Sequence, residues 1–226
     1  TSEEIRRMLK TRSVLVGSAV KIKNQIHGMM LGYGMETKNA QLQSRKKRQE
    51  LFRDLADHGY SKFTAASLEV MLGILDDLGE QIKGVERQLA EMVSGNDDVP
   101  LLMTVPGIGI INAATIAAYT RDLDRFGGDF RRFAAYVGIV PGVHNSNESV
   151  HLGRITKRGP VELRTAFVQV ALGMIRLPRV TSEWRLIKDY RLMKTDKGSG
   201  RAIIALARKV ARIVFTMLQT RESFDS

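Results

Sequence analysis

The chain has 226 residues, no cysteine, and 35 Lys+Arg against 24 Asp+Glu, giving a formal charge of +11 and a pI near 10.1. Without cysteine there is no disulfide framework, no thiolate zinc site and no cysteine nucleophile. No apolar run approaches the roughly 18 residues of a membrane span, and no secretory signal opens the chain, so a membrane is not an expected partner. The basic charge is concentrated late: residues 141–226 hold sixteen Lys/Arg and seven Asp/Glu. Such a localised positive field attracts polyanions, nucleic acid first. The first residue is Thr1 rather than Met, which predicts a fragment of a longer protein.

Helical signals dominate, with five prolines and no convincing alternating strand, so the expected fold class is all-α. Residues 2–31 read as one long helix carrying Ile5, Met8, Leu15, Ala19, Ile22, Ile26 and Met29 mostly three or four apart. Arg12 interrupts that stripe, and Gly17 and Gly28 weaken it. Residues 35–62 are polar, with the basic cluster Arg45 to Arg48 and a short helix expected up to Ala56. Over 63–93, Met71, Leu75, Leu78, Ile82, Val85, Leu89 and Met92 alternate in steps of four and three. That heptad spacing predicts a seam along a long helix. The seam needs a partner, and both the first helix folding back and a second chain fit. Residues 1–94 are therefore expected as a long-helix or coiled-coil region, ended by the linker Ser94-Gly95-Asn96-Asp97-Asp98.

Residues 97–222 read as a compact helical domain with helices over 98–104, 110–120, 129–137, 160–176, 181–192 and 200–220. In Pro106-Gly107-Ile108-Gly109 the glycines permit a tight turn between two helices. This resembles a helix-hairpin-helix, in which Gly107 and Gly109 would offer backbone N–H groups to a phosphate at a helix N-terminus. The plain alternative is a close packing turn. Further on, a small polar loop with serines is followed by Arg154, Lys157, Arg158 and Arg164. Clustered cations ease ionisation of a hydroxyl and stabilise a phosphoryl group in transfer. On the last helix Arg201, Arg208 and Arg212 are seven and four apart, which puts them on one face suited to tracking phosphates or to plain solvation.

The ordered set of Pro106-Gly107-Ile108-Gly109, then Phe133-x-x-Tyr136-x-Gly138-Ile139-x-Pro141, a serine loop, Gly153 to Pro160 with Leu163-Arg164, and Ala205 to Ile213 resembles transposases of the insertion-sequence 110/116/902 group over about residues 98–218. The resemblance implies DNA recombination by a serine nucleophile that precedes a Gly-Arg-Ile. Counting back from Gly153 selects Ser146, with Ser149 as the second candidate. Asn147 and Glu148 stand where the group usually has glycines. The resemblance also implies an RNase H-like nuclease domain that binds divalent metal, and no segment of this chain reads as one. The expectation is then the C-terminal part of a longer transposase, with no cofactor of its own, that binds DNA but does not recombine it unaided. A structured RNA is a second implied partner, and the seam on the long helices adds the expectation of a homodimer or higher oligomer. The implied setting is the bacterial cytoplasm, with the nucleoid. The rival reading is a non-catalytic nucleic-acid-binding and dimerisation module.

Other chemistries fit less well. His144, Ser146 and Glu148 are too close in sequence for triad geometry, and no nucleophile elbow is present. Tyr119 and Tyr136 are expected to pack on helical faces, and Trp184 to anchor a core. Four histidines without cysteine give no metal-ligand spacing.

Overall fold

The computed structural model describes residues 1–146 and 149–225, and for residues 143–146 and 149–154 the backbone alone. Among the described residues the chain is all-α apart from one β-hairpin. It divides into two compact units, one of residues Arg7–Gln88 and one of Thr1–Arg6 with Leu89–Ser226. Among the described residues no helix is long and apolar enough to cross a membrane.

Within residues 7–88, helix α1 (Ser2–Leu31) is followed by a 3-10 turn at Asn39–Leu42, then by α2 (Arg45–Asp57) and α3 (Lys62–Val93). Ile26 and Met30 of α1 share a buried cluster with Leu42, Leu51 and Leu55 and with Leu68, Leu72 and Leu75 of α3. At the other end Arg12 pairs with Glu86 at 2.7 Å. The two long helices of this unit therefore run antiparallel, and α1 is the partner that the α3 seam required. Arg12, which broke the apolar stripe, is half-buried and is held in the helix pair by that ion pair. The seam itself is only partly covered: Leu75 is buried, whereas Met71, Leu78, Ile82 and Val85 are half-buried. Outside it, Phe63 is 73% exposed and Val70 62%.

The basic cluster at residues 45–48 opens α2. Ser44 caps that helix by accepting from the Lys47 N–H at 3.2 Å, as a serine before a helix is suited to do. Arg48 forks onto Asp76 of α3 with two 2.7 Å bonds and donates from Nε to the Leu42 carbonyl at 2.8 Å. The hydrogen bond to Arg48 lowers the Asp76 pKa below the ordinary carboxylate value, and Asp76 raises that of Arg48.

In the second unit the elements are α4 (Asp98–Met103), α5 (Ile110–Thr120), a 3-10 turn at Asp124–Phe126, α6 (Phe130–Val137), β1 (Pro141–Ser146), β2 (Ser149–Ile155), α7 (Val161–Ile175), α8 (Pro178–Thr181), α9 (Arg185–Lys197) and α10 (Ser199–Thr220). Helix α5 is buried almost all round, from Ala113 to Ala118, as a central helix of Ala and Ile must be. Helix α7 packs on α5 and α10, and α10 packs on α6 and α9. An aromatic cluster closes the core: Phe133 stacks on Phe215 at 5.0 Å and meets Phe126 and Phe167 edge-on at 5.3 and 6.1 Å. Such pairs add to the plain burial of the rings.

Two expectations change. The stretch after Pro141, expected as a loop, is an antiparallel hairpin. The expected helix over 181–192 is instead α8 followed by α9, which runs to Lys197. Pro178 at the first helical position starts α8, and the extended backbone at Trp184 separates it from α9. Thr181, the last residue of α8, is fully buried and donates from its hydroxyl to the Met174 carbonyl at 2.8 Å.

The tightest approach in this unit lies between the turn before α5 and α7. Gly107 has φ +93°, and a Cβ there would lie 3.0 Å from the Met174 nitrogen and 3.1 Å from the Val170 carbonyl oxygen. Gly173 faces it, 3.3 Å from the Gly107 Cα by the same construction. Gly107→Ala is therefore expected to cost about 2–4 kcal/mol, from backbone strain plus overpacking against main chain that cannot rotate away. Gly109→Ala, with open space around it, should cost under about 1 kcal/mol. Urea denaturation midpoints of the two variants check the contrast. In the other unit, an Arg48→Gln/Asp76→Asn double-mutant cycle should give a coupling of about 0.5–1 kcal/mol, since the Asp76 side chain is 62% exposed. Because pairing depresses the Asp76 pKa, that coupling is complete above the unfolded carboxylate's pKa of about 3.9 and fades as the pH falls through the lower folded value.

Candidate nucleic-acid interface

The Pro106–Gly109 turn places its two glycines differently. Gly107 is spent on packing, with its α-carbon against the α7 backbone. Gly109 is exposed and is the N-cap of α5 in extended conformation, so the first amides of α5 start from it. The first amides of any helix lack partners within that helix. Two arginines gather at the opposite end of α5. Arg6 donates to the Ala118 carbonyl at 3.0 and 2.6 Å, and Arg125 donates to that of Tyr119 at 3.0 Å. Cations at a helix C-terminus satisfy its last carbonyls and its partial negative charge. Neither was singled out in the sequence, where each reads as one more surface charge.

The hairpin pairs Pro141 with Ile155, Val143 with Leu152 and Ser146 with Ser149, with an irregularity between Pro141 and Val143. The register leaves positions 147–148, which lie outside the described residues, between the two serines. Both candidate nucleophiles therefore sit at the far end of the hairpin, across from each other. The side chains of Ser146, Ser149 and Arg154 lie outside the described residues, as do those of His144 and His151. At roughly 3.3 Å per residue, five steps of extended strand separate Ser146 from the Pro141 end by roughly 16 Å.

At that base stand the other cations. The chain leaves β2 through Thr156, whose N–H donates to the Val140 carbonyl at 2.9 Å. Lys157 follows with φ +55° and donates its N–H to the Gly138 carbonyl at 3.2 Å. Gly138 ends α6 in the left-handed conformation. Gly159 crosses the same helix end so closely that a Cβ would fall 1.7 Å from the Tyr136 carbonyl oxygen. The Lys157 and Arg158 side chains are exposed, whereas Arg164 is half-buried and directs Nη1 to the Gly159 carbonyl at 3.5 Å. Lys157, Arg158 and Arg164 are thus brought together at the C-terminus of α6, and Ser146 is set apart from them along the hairpin. A hairpin signal was present in Val143, Val150, Leu152 and Ile155 around a polar Ser-Asn-Glu-Ser turn.

On α10, Arg201 and Arg212 are exposed and Arg208 is half-buried, on the side opposite the buried Leu206, Val210, Val214 and Met217. The Arg212 guanidinium lies over the Phe130 ring at 4.8 Å. Neighbouring Lys209 pairs with Asp189 at 2.5 Å and lowers the Asp189 pKa. Trp184 is not a core anchor. It is half-buried, lies 5.3 Å from Phe224, and lines an open groove of about 570 Å³ together with Arg185 and Arg212. Tyr119 and Tyr136 do pack on helical faces, under Arg6 at 4.5 Å and Arg125 at 4.2 Å respectively. Burial and the nearby Glu162 raise the Tyr119 pKa, which leaves the phenol protonated and a poor nucleophile at neutral pH. Among the described residues no three His, Asp or Glu side chains are grouped so as to hold a metal ion.

Comparison with known sequences bears on this arrangement directly. Residues 99–186, from α4 through the turn, the hairpin and α7 to the start of α9, match the family described as Transposase IS116/IS110/IS902. The chain is 28% identical over 225 residues to the transposase for insertion sequence element IS1111A of Coxiella burnetii, covering 98% of the chain and 60% of that protein. It is 28% identical to a probable family 20 transposase of Pseudomonas aeruginosa, over 96% of the chain and 63% of that protein. It is 29% identical to the transposase for insertion sequence element IS1328 of Yersinia enterocolitica, over 92% and 60%. The chain thus spans about three-fifths of the length of these relatives. The segment that resembles the IS116/IS110/IS902 transposases contains both glycine turns and the whole hairpin, and the alignments with these three relatives run along almost the whole chain.

Proposed function

We propose that this chain binds DNA and supplies the serine-dependent part of strand exchange within a transposase. The observation that carries the reading is the hairpin. It holds Ser146 opposite Ser149 at its far end and returns the chain, at its base, to the exposed Lys157 and Arg158. A DNA strand laid along the hairpin meets cations at one end and a hydroxyl at the other. In this reading Lys157, Arg158 and Arg154 bind phosphates beside the reacting one and fix its position, because about 16 Å is too far for them to ionise the hydroxyl directly. Ser146 attacks phosphorus and forms a phosphate ester. A deoxyribose oxygen leaves and takes up a proton, and the ester holds the strand for rejoining. Arg201, Arg208 and Arg212 extend the phosphate track, and the first amides of α5 beyond Gly109 offer a further anion contact. Arg164 lies behind the exposed pair. Exposed cations without base-reading geometry also accept a structured RNA. The divalent metal of the family's chemistry is assigned to a nuclease-like domain, and no step here passes through it.

A second reading is favoured by a separate observation. Phe63, Val70 and Ile74 lie seven and four apart on α3 and are all exposed. That stripe suits a module whose long helices hold two copies together.

Two experiments separate these readings. In a complete transposase, Ser146→Ala should lower strand exchange on the order of a thousandfold or more while changing DNA affinity less than about twofold. Ser149→Ala should leave exchange within about tenfold, and a reversed order reassigns the nucleophile. Exchange unchanged in both variants would sink the catalytic reading in favour of assembly alone. For the second reading, Val70→Glu combined with Ile74→Glu should convert dimers to monomers in sedimentation velocity. Wild-type chain already monomeric at about 100 µM rejects the helix-mediated dimer, since a true dimer interface of standard size holds at that concentration.

A further inference from the structure

We infer that Arg164 is a positioning residue that fixes the base of the β-hairpin, not one of the cations that meet DNA. The inference rests on the reading above, in which the hairpin presents Ser146. Three observations carry it. Arg164 reaches both glycines of the base: its Nη1 donates to the Gly159 carbonyl at 3.5 Å and lies 3.0 Å from where a Cβ on Gly138 would stand. Those glycines are the points at which the two chain segments touch. Gly138 lies 3.1 Å, by the same construction, from the Arg158 nitrogen, and Gly159 has no room for any carbon beside the Tyr136 carbonyl. The third observation is electrostatic. Arg164 lies in the first turn of α7, where the helix dipole disfavours a cation, and beside the C-terminus of α6, where it favours one.

The arrangement works as a clasp. Segment 156–160 leaves the hairpin, turns at Lys157 in a left-handed conformation that a side chain adopts only under constraint, and lies over the end of α6. Backbone bonds from Thr156 to Val140 and from Lys157 to Gly138 hold its first half. Arg164 holds its second half through Gly159. A guanidinium is suited to this because its rigid plane holds the donating N–H in a fixed direction toward the carbonyl, which a rotating ammonium does not. Lys157 and Arg158 lie on the same strap with their side chains exposed and remain available to phosphate.

The test compares Arg164→Ala with Lys157→Ala and Arg158→Ala in the 226-residue chain. DNA affinity is measured by fluorescence anisotropy with a duplex oligonucleotide across a salt series. Loss of a phosphate contact reduces the slope of log affinity against log salt by about 1. Lys157→Ala and Arg158→Ala are each expected to do so, and Arg164→Ala to leave the slope unchanged. Amide hydrogen exchange at Thr156 and Lys157 should speed up about fivefold or more in Arg164→Ala, with the amides of α10 within twofold of wild type. In a complete transposase the same substitution should slow strand exchange about tenfold at unchanged DNA affinity, a split that general destabilisation does not produce. Arg164→Lys keeps the charge but not the rigid plane, and it carries the same exchange expectation should the alanine variant fold poorly. A slope reduced by about 1 in Arg164→Ala, with the base amides still protected, overturns the inference. If the wild-type chain binds no DNA, the DNA reading fails on its own, and unchanged amide exchange at Thr156 and Lys157 would independently reject the clasp.

Discussion

The unit that bears the hairpin depends on backbone meeting backbone. Gly107 lies against the main chain of α7 at Val170 and Met174, and Gly159 against that of α6 at Tyr136. Side chains can rotate away from a clash, but carbonyls and amides in hydrogen-bonded helices cannot. One added carbon at either place moves an element rather than a rotamer. The first contact ties the turn before α5 to α7. The second ties the segment after the hairpin to α6. The aromatic cluster around Phe133 then packs α6 on α10, so the helix whose end forms the base of the hairpin is anchored in the core of this unit.

The strong positive charge of the chain is divided between two uses. Part of it is structural. Arg6 and Arg125 cap the end of α5, Arg164 reaches Gly159, and Arg125 and Arg212 lie on aromatic faces. A guanidinium hydrogen-bonded to a carbonyl keeps its charge, so these residues still add to the positive field, but they are less free to follow a phosphate. Lys157, Arg158 and Arg201 are exposed and fit the second use. Counting basic residues therefore overstates how many side chains can contact a polyanion, and the division between the uses is set by which carbonyls and rings lie within reach.

Residues 7–88 show the same economy with a single ion pair. A charge within an apolar stripe normally argues against burial of that face. Here Arg12 stays half-buried because Glu86 approaches from the antiparallel helix. The apolar positions that remain exposed, Phe63, Val70 and Ile74, fall on a different face of α3 from Leu68, Leu72 and Leu75. One helix thus carries an inner apolar face that α1 and α2 cover and an outer one that this chain leaves open.

Local sequence determined most of the helices, though not the break between α8 and α9. Three-four spacing marked α1 and α3, and glycines at 107, 138 and 198 marked turns, because periodicity and backbone freedom are properties of a short window. The hairpin was harder to see, since its strands are short and carry few strand-forming residues between histidines, asparagine and serines. Nearness in sequence suggested one cationic pocket around Ser146. Extended backbone instead separates residues that are close in number, and only pairing register shows by how much. The structural duties of Gly107, Gly159 and Arg164 were equally out of reach. Each depends on a carbonyl or an amide supplied by another helix, and the meeting of segments distant along the chain is decided by tertiary packing rather than by any local pattern.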